Sequence, residues 1–506
     1  MTTRRAFLRS LGLLAGAGLG AACRVPQDPD PPRGPWGATP DVAPASSVVP
    51  AEARPVSVFE HFLQGGINPW DTFYVVPEHG DPAAGGTFAG QQWWTYQDGP
   101  SNLPDRVAAY GIGGDLLQPF GADAAGKTVH LGPWLAALRD RPDLLARMRI
   151  LVMRHGQFPH QTGNPLAMCG QPLGSPRLAG TAAHVQRAAG TAGVPRSVVL
   201  LPKETAVIGD NADACATVGP HGSAGRPLVL WMEADSGLHE LLARNALGPR
   251  AEAHDALVRA YLDRFAARLD GPSGPVRAPA LDQLLGVRDG LTDAPAIREW
   301  LGGAPLLGEG AVSCGDSFAV DQGGSAVALA TRLITSPRGA QYVIAVDNGL
   351  VQGSFAGFDT HEEHIQHCAV NVPHAIRSLV DRINEPGEGD PSKLDLDQHM
   401  VAITTEFGRT PYKQGEFGLD HWPSGYVQVL LGGPIGEEQA GVVGAIGEDG
   451  VATDFITPAD FRAAMLLAQG IWPFETESFA VGDISEGDDE VEAARYLRER
   501  VLGLSS

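Results

Sequence analysis

His399-Met400-Val401-Ala402-Ile403-Thr404-Thr405, followed at once by Glu406-Phe407-Gly408-Arg409-Thr410-Pro411, is the stretch on which the reading of this chain turns. The first seven residues read as a strand built on the apolar run Val401-Ala402-Ile403. The carboxylate of Glu406 then falls at the strand's end, partly shielded from water, where it needs a partner. Working outward, residues 58–63, 150–153, 198–201, 228–232, 342–346 and 427–431 read as further short strands. Helical spacing marks 134–148, 251–269, 325–334, 362–383 and 458–469. The helix over 362–383 is expected to be kinked or interrupted at Pro373, and Pro458 is placed to open the last one. Helix–strand alternation of this kind predicts an α/β fold, a mostly parallel sheet flanked by helices on both faces.

The 506 residues are 43% hydrophobic and 19% charged, enough for a large core. A formal charge of -22 argues against a nucleic-acid backbone as the natural partner. The N-terminus carries Thr3-Arg4-Arg5-Ala6-Phe7-Leu8 and then a Gly/Ala-rich apolar stretch from 11 to 22 that is too short to span a bilayer. It resembles a twin-arginine export signal. Ala21-Ala22-Cys23 reads either as a small-residue cleavage site or as a lipidation site on Cys23, so the membrane enters only through that lipid. The expected destination is the periplasm, or the outer membrane and cell surface as a lipoprotein. The expected segments are a signal at 1–23, a Pro/Ala-rich linker at 24–56, an α/β domain at 57–480 and an acidic C-terminal helix at 481–506, peripheral to the rest. Cys169, Cys215, Cys314 and Cys368 read as buried thiols, with Cys169–Cys215 or Cys215–Cys314 pairing as the alternative.

Asp359 and His361 are two apart on an extended segment, so they project the same way. Asp71 falls on a loop just past the first strand, where open α/β sheets place their ligands. Carboxylates and imidazoles gathered from several loops of one sheet edge suit a divalent cation of the zinc type, one or two ions. Each residue has a second reading. Asp359 could cap the following helix. Glu406 and Arg409 could form a structural ion pair. Asp420 and His421 could be a turn residue and a packed imidazole. His364, His367 and His374 flank the apolar stripe of their helix and read as boundary or solvated residues rather than ligands.

Phe358-Asp359-Thr360-His361, Thr405-Glu406-Phe407-Gly408-Arg409-Thr410-Pro411 and Asp420-His421-Trp422-Pro423 occur in this order. Together with Gly65-Gly66, Asp71-Thr72-Phe73, Arg154-His155 and His160, they resemble the bacterial family called domain of unknown function 1501, of the alkaline phosphatase-like superfamily. The chain departs from that family in Ile67-Asn68-Pro69 and in the Gly432-Gly433-Pro434-Ile435-Gly436 loop. The resemblance implies a two-metal hydrolase acting on phosphate or sulfate esters, small-molecule or glycan. It implies Asp71, Asp359, His361, Glu406, Asp420 and His421 as metal ligands, Arg409 at the reacting centre, and Thr162 at a helix start as nucleophile. The alternative is a metal-stabilised surface or periplasmic protein that binds a partner without catalysis.

Overall fold

Among the described residues the central sheet has eight strands, of which seven run the same way, and their common carboxyl edge carries the candidate site. The computed structural model describes residues 36–80, 116–175, 179–189, 197–201, 227–231, 311–314, 317–320, 322–336, 339–350, 357–414, 418–475 and 478–505, with scattered positions between 253 and 275. In chain order the sheet strands and the hairpin beside them are β1 (Ser57–Leu63), β2 (Met148–Met153), β3 (Val198–Leu201), β4 (Leu228–Trp231), β5 (Tyr342–Asp347), β6 (His399–Thr404), β7 (Gly408–Gln414), β8 (Gly418–Trp422), β9 (Tyr426–Gly432) and β10 (Gly441–Val443). The sheet order is β10-β2-β9-β6-β1-β5-β3-β4, and among the described residues β7 and β8 pair with each other alone.

β1 is parallel to β5 and to β6, with Phe59 opposite Val343 and Val401. β9 is antiparallel to both β6 and β2, so β2 points the same way as β1, β5 and β6. All seven residues of β1 are buried, as a strand covered on both faces requires. On one face, Phe59, Leu63, Val343, Ala345, Val401 and Ile403 join a core with residues of α3 (Gln322–Thr335) and α4 (His364–Val380). On the other, Glu60 meets Arg462 of α5 (Pro458–Ala468), which also reaches the Ala167 carbonyl of α1 (His160–Cys169). The fold is therefore α/β with a mostly parallel sheet and helices on both faces. α5 starts as its sequence predicts, with Pro458 in the first turn and a capping box between Thr457 and Asp460.

Several expectations need correction. The helix expected over 134–148 is a 3-10 turn, Pro133–Leu135, then two short helices, Ala136–Arg139 and Pro142–Leu145, and Met148 already belongs to β2. Pro142 has no N–H to offer and pushes Arg141 out of helical geometry, at φ -121° and ψ 75°. Of the two expectations at Pro373, interruption is overturned, because α4 runs on through that residue to Val380.

The stretch from 37 to 56 is not a tether. Val49 and Ser47 are fully buried, the Trp472 N–H donates to the Gly37 carbonyl, and the Val56 N–H donates to Gln398. A few well-placed apolar and main-chain contacts outweigh its Pro-rich composition. Nor is the C-terminus peripheral: Ala493, Ala494, Leu497, Val501 and Leu502 are fully buried, and Arg149 donates to the carbonyls of Arg500 and Val501. In the helix expected over 251–269, Leu257 and Tyr261 stand exposed rather than forming a buried stripe. Cys169 and Cys368 are buried thiols, which removes the Cys169–Cys215 pairing. The export segment, Cys23 and Cys215 lie outside the described residues. Among the described residues, no helix is long and apolar enough to cross a membrane.

Candidate metal centre

The carboxyl ends of β1, β2 and β6 bring together Gly65, His160 and Glu406, and the loop before α4 adds Asp359 and His361. β7 and β8 form an antiparallel hairpin with Arg409 opposite His421, so both side chains reach Asp359. Two close approaches hold these loops. A Cβ on Gly65, whose φ is +117°, would lie 2.3 Å from the Asp359 nitrogen, and one on Gly418 would lie 1.6 Å from the His361 carbonyl oxygen. Glu363, between His361 and α4, is held at φ 47°, a strained conformation for a non-glycine residue beside a site.

His160, Asp359, His361 and His421 offer ligand atoms that all lie within 4.8 Å of one another. The His361 and His421 Nε2 atoms are 2.9 Å apart. Asp359 Oδ1 is 3.1 Å from His361 Nε2 and 3.3 Å from His421 Nε2, and Asp359 Oδ2 is 3.2 Å from His160 Nε2. Ligands held at 2.0–2.1 Å in a tetrahedron are separated by about 3.3 Å, which these spacings approach.

The outer nitrogens decide what the inner ones can do. His421 Nδ1–H donates to the Phe158 main-chain carbonyl at 2.8 Å, and His160 Nδ1–H donates to Glu406 Oε1 at 2.7 Å. His361 Nδ1–H donates to Gln414 Oε1 at 2.5 Å. A carbonyl and a carboxylate can only accept, so a neutral ring that keeps its proton on Nδ1 for these partners turns an Nε2 lone pair inward, toward the Asp359 carboxylate. Two lone pairs 2.9 Å apart repel unless a proton or a metal cation lies between them. His160 Nε2 is buried, and Asp359 Oδ2 faces it at 3.2 Å. Outer acceptors that fix ring tautomer in this way are the usual support of metal-binding histidines.

The charges agree with this geometry. Burial works against ionised Asp359, but His160, His361, His421 and Arg409 outweigh it and hold the carboxyl well below the usual range. Burial also works against a charged His160, yet Asp359 and Glu406 raise it to about 9. In the metal-free protein a proton therefore takes up part of the positive charge that the centre calls for, and a divalent ion would displace it. The Asp359 and His160 side chains are buried, whereas His361 and His421 are 19% and 15% exposed, so the centre has one open side.

The remaining expected residues stand elsewhere. Glu406 is fully buried behind His160, and its Oε1 also accepts from the Gly65 N–H at 2.9 Å. It is not one of the four grouped residues. Arg409 does not pair with Glu406; its buried guanidinium donates to Asp359 and to the Gly65, Gly66 and Leu419 carbonyls. Asp420 is half exposed on the outer side of His361, 3.8 Å from Nδ1. The Thr162 hydroxyl donates to the Pro159 carbonyl. Asp359 does not cap α4, whose N-cap is Glu363. His155 donates to the Glu406 carbonyl and accepts from the Gln157 N–H, and burial lowers it to about 4, so it stays neutral.

Asp71 falls in a neighbouring buried group with His364 and Cys368. His364 is fully buried, against the expectation of a boundary residue, because Asp71 from a distant loop covers it at 2.8 Å. No local pattern announces that contact. His160 was marked in the sequence by the family resemblance, as a residue that could bind substrate or metal, and Gln414 and Phe158 had no signal at all, since both act through one acceptor atom.

Residues 321–486 match a family described as protein of unknown function (DUF1501). The matched span carries Asp359, His361, Glu406, Arg409, Asp420 and His421, and leaves Asp71, His160 and Thr162 outside it. It supports the DUF1501 resemblance over that part of the chain. No curated protein and no solved structure matches the chain.

The orienting place of Glu406 has a measurable consequence. Glu406→Gln keeps an acceptor for His160 and Gly65, so metal affinity should fall by only about 10-fold, the lower end of the cost for an outer partner. Competition with a chromophoric chelator would show it. Complete loss of binding would make Glu406 a ligand.

Proposed function

We propose that this protein is an exported, metal-dependent hydrolase of the alkaline phosphatase-like kind, acting on phosphate or sulfate esters. The observation that carries the reading is the convergence of three histidine Nε2 atoms, their Nδ1 sides bonded to acceptors, on the carboxylate of Asp359. His160, Asp359, His361 and His421 would hold a zinc-type cation. Bound there, such an ion supplies Lewis-acid activation of an ester oxygen and of water at neutral pH. The chain's own residues do the rest. Glu406 orients His160, Arg409 keeps Asp359 ionised, and the partly exposed rings of His361 and His421 leave the open side by which an anionic ester arrives. The twin-arginine pattern at the N-terminus supports export.

The test uses the purified full chain, its metal content and a panel of aryl phosphates and sulfates. Turnover of at least one ester is expected. His421→Ala should lower it by on the order of 10³-fold, the several kcal/mol that metal activation contributes. Thr162→Ala should leave it unchanged, because that hydroxyl is occupied by Pro159. Turnover that survives His421→Ala would sink the proposal. A second reading is a metal-stabilised binding protein without catalysis, favoured by the same engagement of Thr162. Metal-loaded, folded protein that turns over no ester of the panel would select it.

A further inference from the structure

We infer that Asp71, His364 and Cys368 form a second cation site, one that includes a thiolate. This inference stands apart from the reaction proposed above and would survive its failure. His364 and Cys368 are one helical turn apart at the start of α4 and share a face. Asp71 comes from the 3-10 turn Pro69–Asp71. All three are buried, and their ligand atoms lie within 4.8 Å of one another.

The local hydrogen bonding is contradictory without a cation. The Trp70 N–H donates to Asn68 Oδ1, which turns the Asn68 amide nitrogen toward His364 Nε2 at 3.0 Å. Asp71 Oδ2 faces the same Nε2 at 2.8 Å. If Nε2 carries a proton it serves Asp71 and meets the amide donor head-on. If Nε2 is bare it serves the amide and presents its lone pair to a carboxylate. In either state Asp71 Oδ1 is buried and makes no hydrogen bond. An ionised carboxylate is not left so at low cost.

A cation bound to Asp71 and His364 resolves both problems, and Cys368 completes a set of three. Its Sγ is 3.7 Å from His364 Nε2, near the separation of about 3.6 Å that a sulfur and a nitrogen share on one tetrahedral zinc. A Cys–His–Asp nucleophile relay fits less well, because Thr360 Oγ1 already occupies His364 Nδ1 at 2.7 Å and the thiol is enclosed. Sulfur, nitrogen and oxygen donors together select a borderline-soft ion such as zinc over calcium or magnesium. Such an ion would clamp the Asp71 loop to the helix that follows directly on Asp359 and His361.

The test is cobalt(II) substitution of the full-length protein. A thiolate-to-cobalt charge-transfer band in the near ultraviolet is expected, with two equivalents of cobalt bound. Cys368→Ser should remove the band and one equivalent while keeping the visible ligand-field absorption of the three-histidine centre. His421→Gln should do the reverse. Circular dichroism of Cys368→Ser, and Asp71→Asn as a second variant, guard against loss of fold. Cobalt-loaded wild type with no charge-transfer band, or two equivalents retained in folded Cys368→Ser, would overturn the inference.

Discussion

Asp359→Ala should empty the three-histidine centre and destabilise the protein by roughly 3–5 kcal/mol even when no metal is present, the usual cost of removing one partner from a buried ion pair. Asp359 contacts His160, His361, His421 and Arg409 at once. Arg409 is fully buried, and its remaining bonds go to neutral carbonyls. Without Asp359 the guanidinium has no ionised acceptor among these bonds. His160 also loses one of the two carboxylates that raise it to about 9, so the proton it holds near neutrality becomes weaker. Elemental analysis reads the metal, and urea unfolding of chelator-treated protein reads the stability. A change below about 1 kcal/mol, as for a surface pair, would show that Arg409 is not bonded as described.

Glu60→Gln should cost a similar 3–5 kcal/mol at neutral pH, for the same reason at a different place. Arg462 bonds both oxygens of Glu60, at 2.7 and 2.6 Å, while Tyr342 and Thr404 donate to them as well, and all of this lies under the central strand. The double variant Glu60→Leu with Arg462→Met should recover most of the loss, since an apolar pair of similar size leaves no unpaired charge. The pH dependence has a definite sign. Burial pushes the Glu60 carboxyl up, but Arg462 with Tyr342 and Thr404 outweighs it, so the folded value lies below the ordinary 4.5. The contribution is therefore full above pH 4.5 and is lost as pH falls through the lower, folded value. Urea titrations at neutral and at acid pH should give a smaller Glu60→Gln deficit at acid pH. A deficit that stays constant down to acid unfolding would contradict the assignment.

Much of the architecture was legible in the chain alone. Val198-Val199-Leu200-Leu201 and Tyr342-Val343-Ile344-Ala345-Val346 are apolar on both faces, and only a strand covered on both sides accepts that pattern. The elements that misled were those whose local signal was weaker than a tertiary one. The leucines of 134–148 keep helical spacing, yet one proline breaks them. Residues 37–56 look like a linker and are docked by Val49 and a few main-chain bonds. The exposed Leu257 shows the converse, helical spacing without burial.

What the sequence determined by itself was the alternation of buried strands and helices, and with it the edge of the sheet where Asp359, His361 and Glu406 stand. Strand polarity follows from local pattern, and residues just past a strand's end are placed by the strand. The tertiary structure alone decided how those side chains are shared out. It put Glu406 behind His160, gave Arg409 to Asp359, and sent Asp71 to His364 and Cys368, 293 residues away in the first case. Spacing along the chain cannot distinguish a ligand from the acceptor that orients it, because the difference is a few ångströms between atoms that only the packed loops bring together.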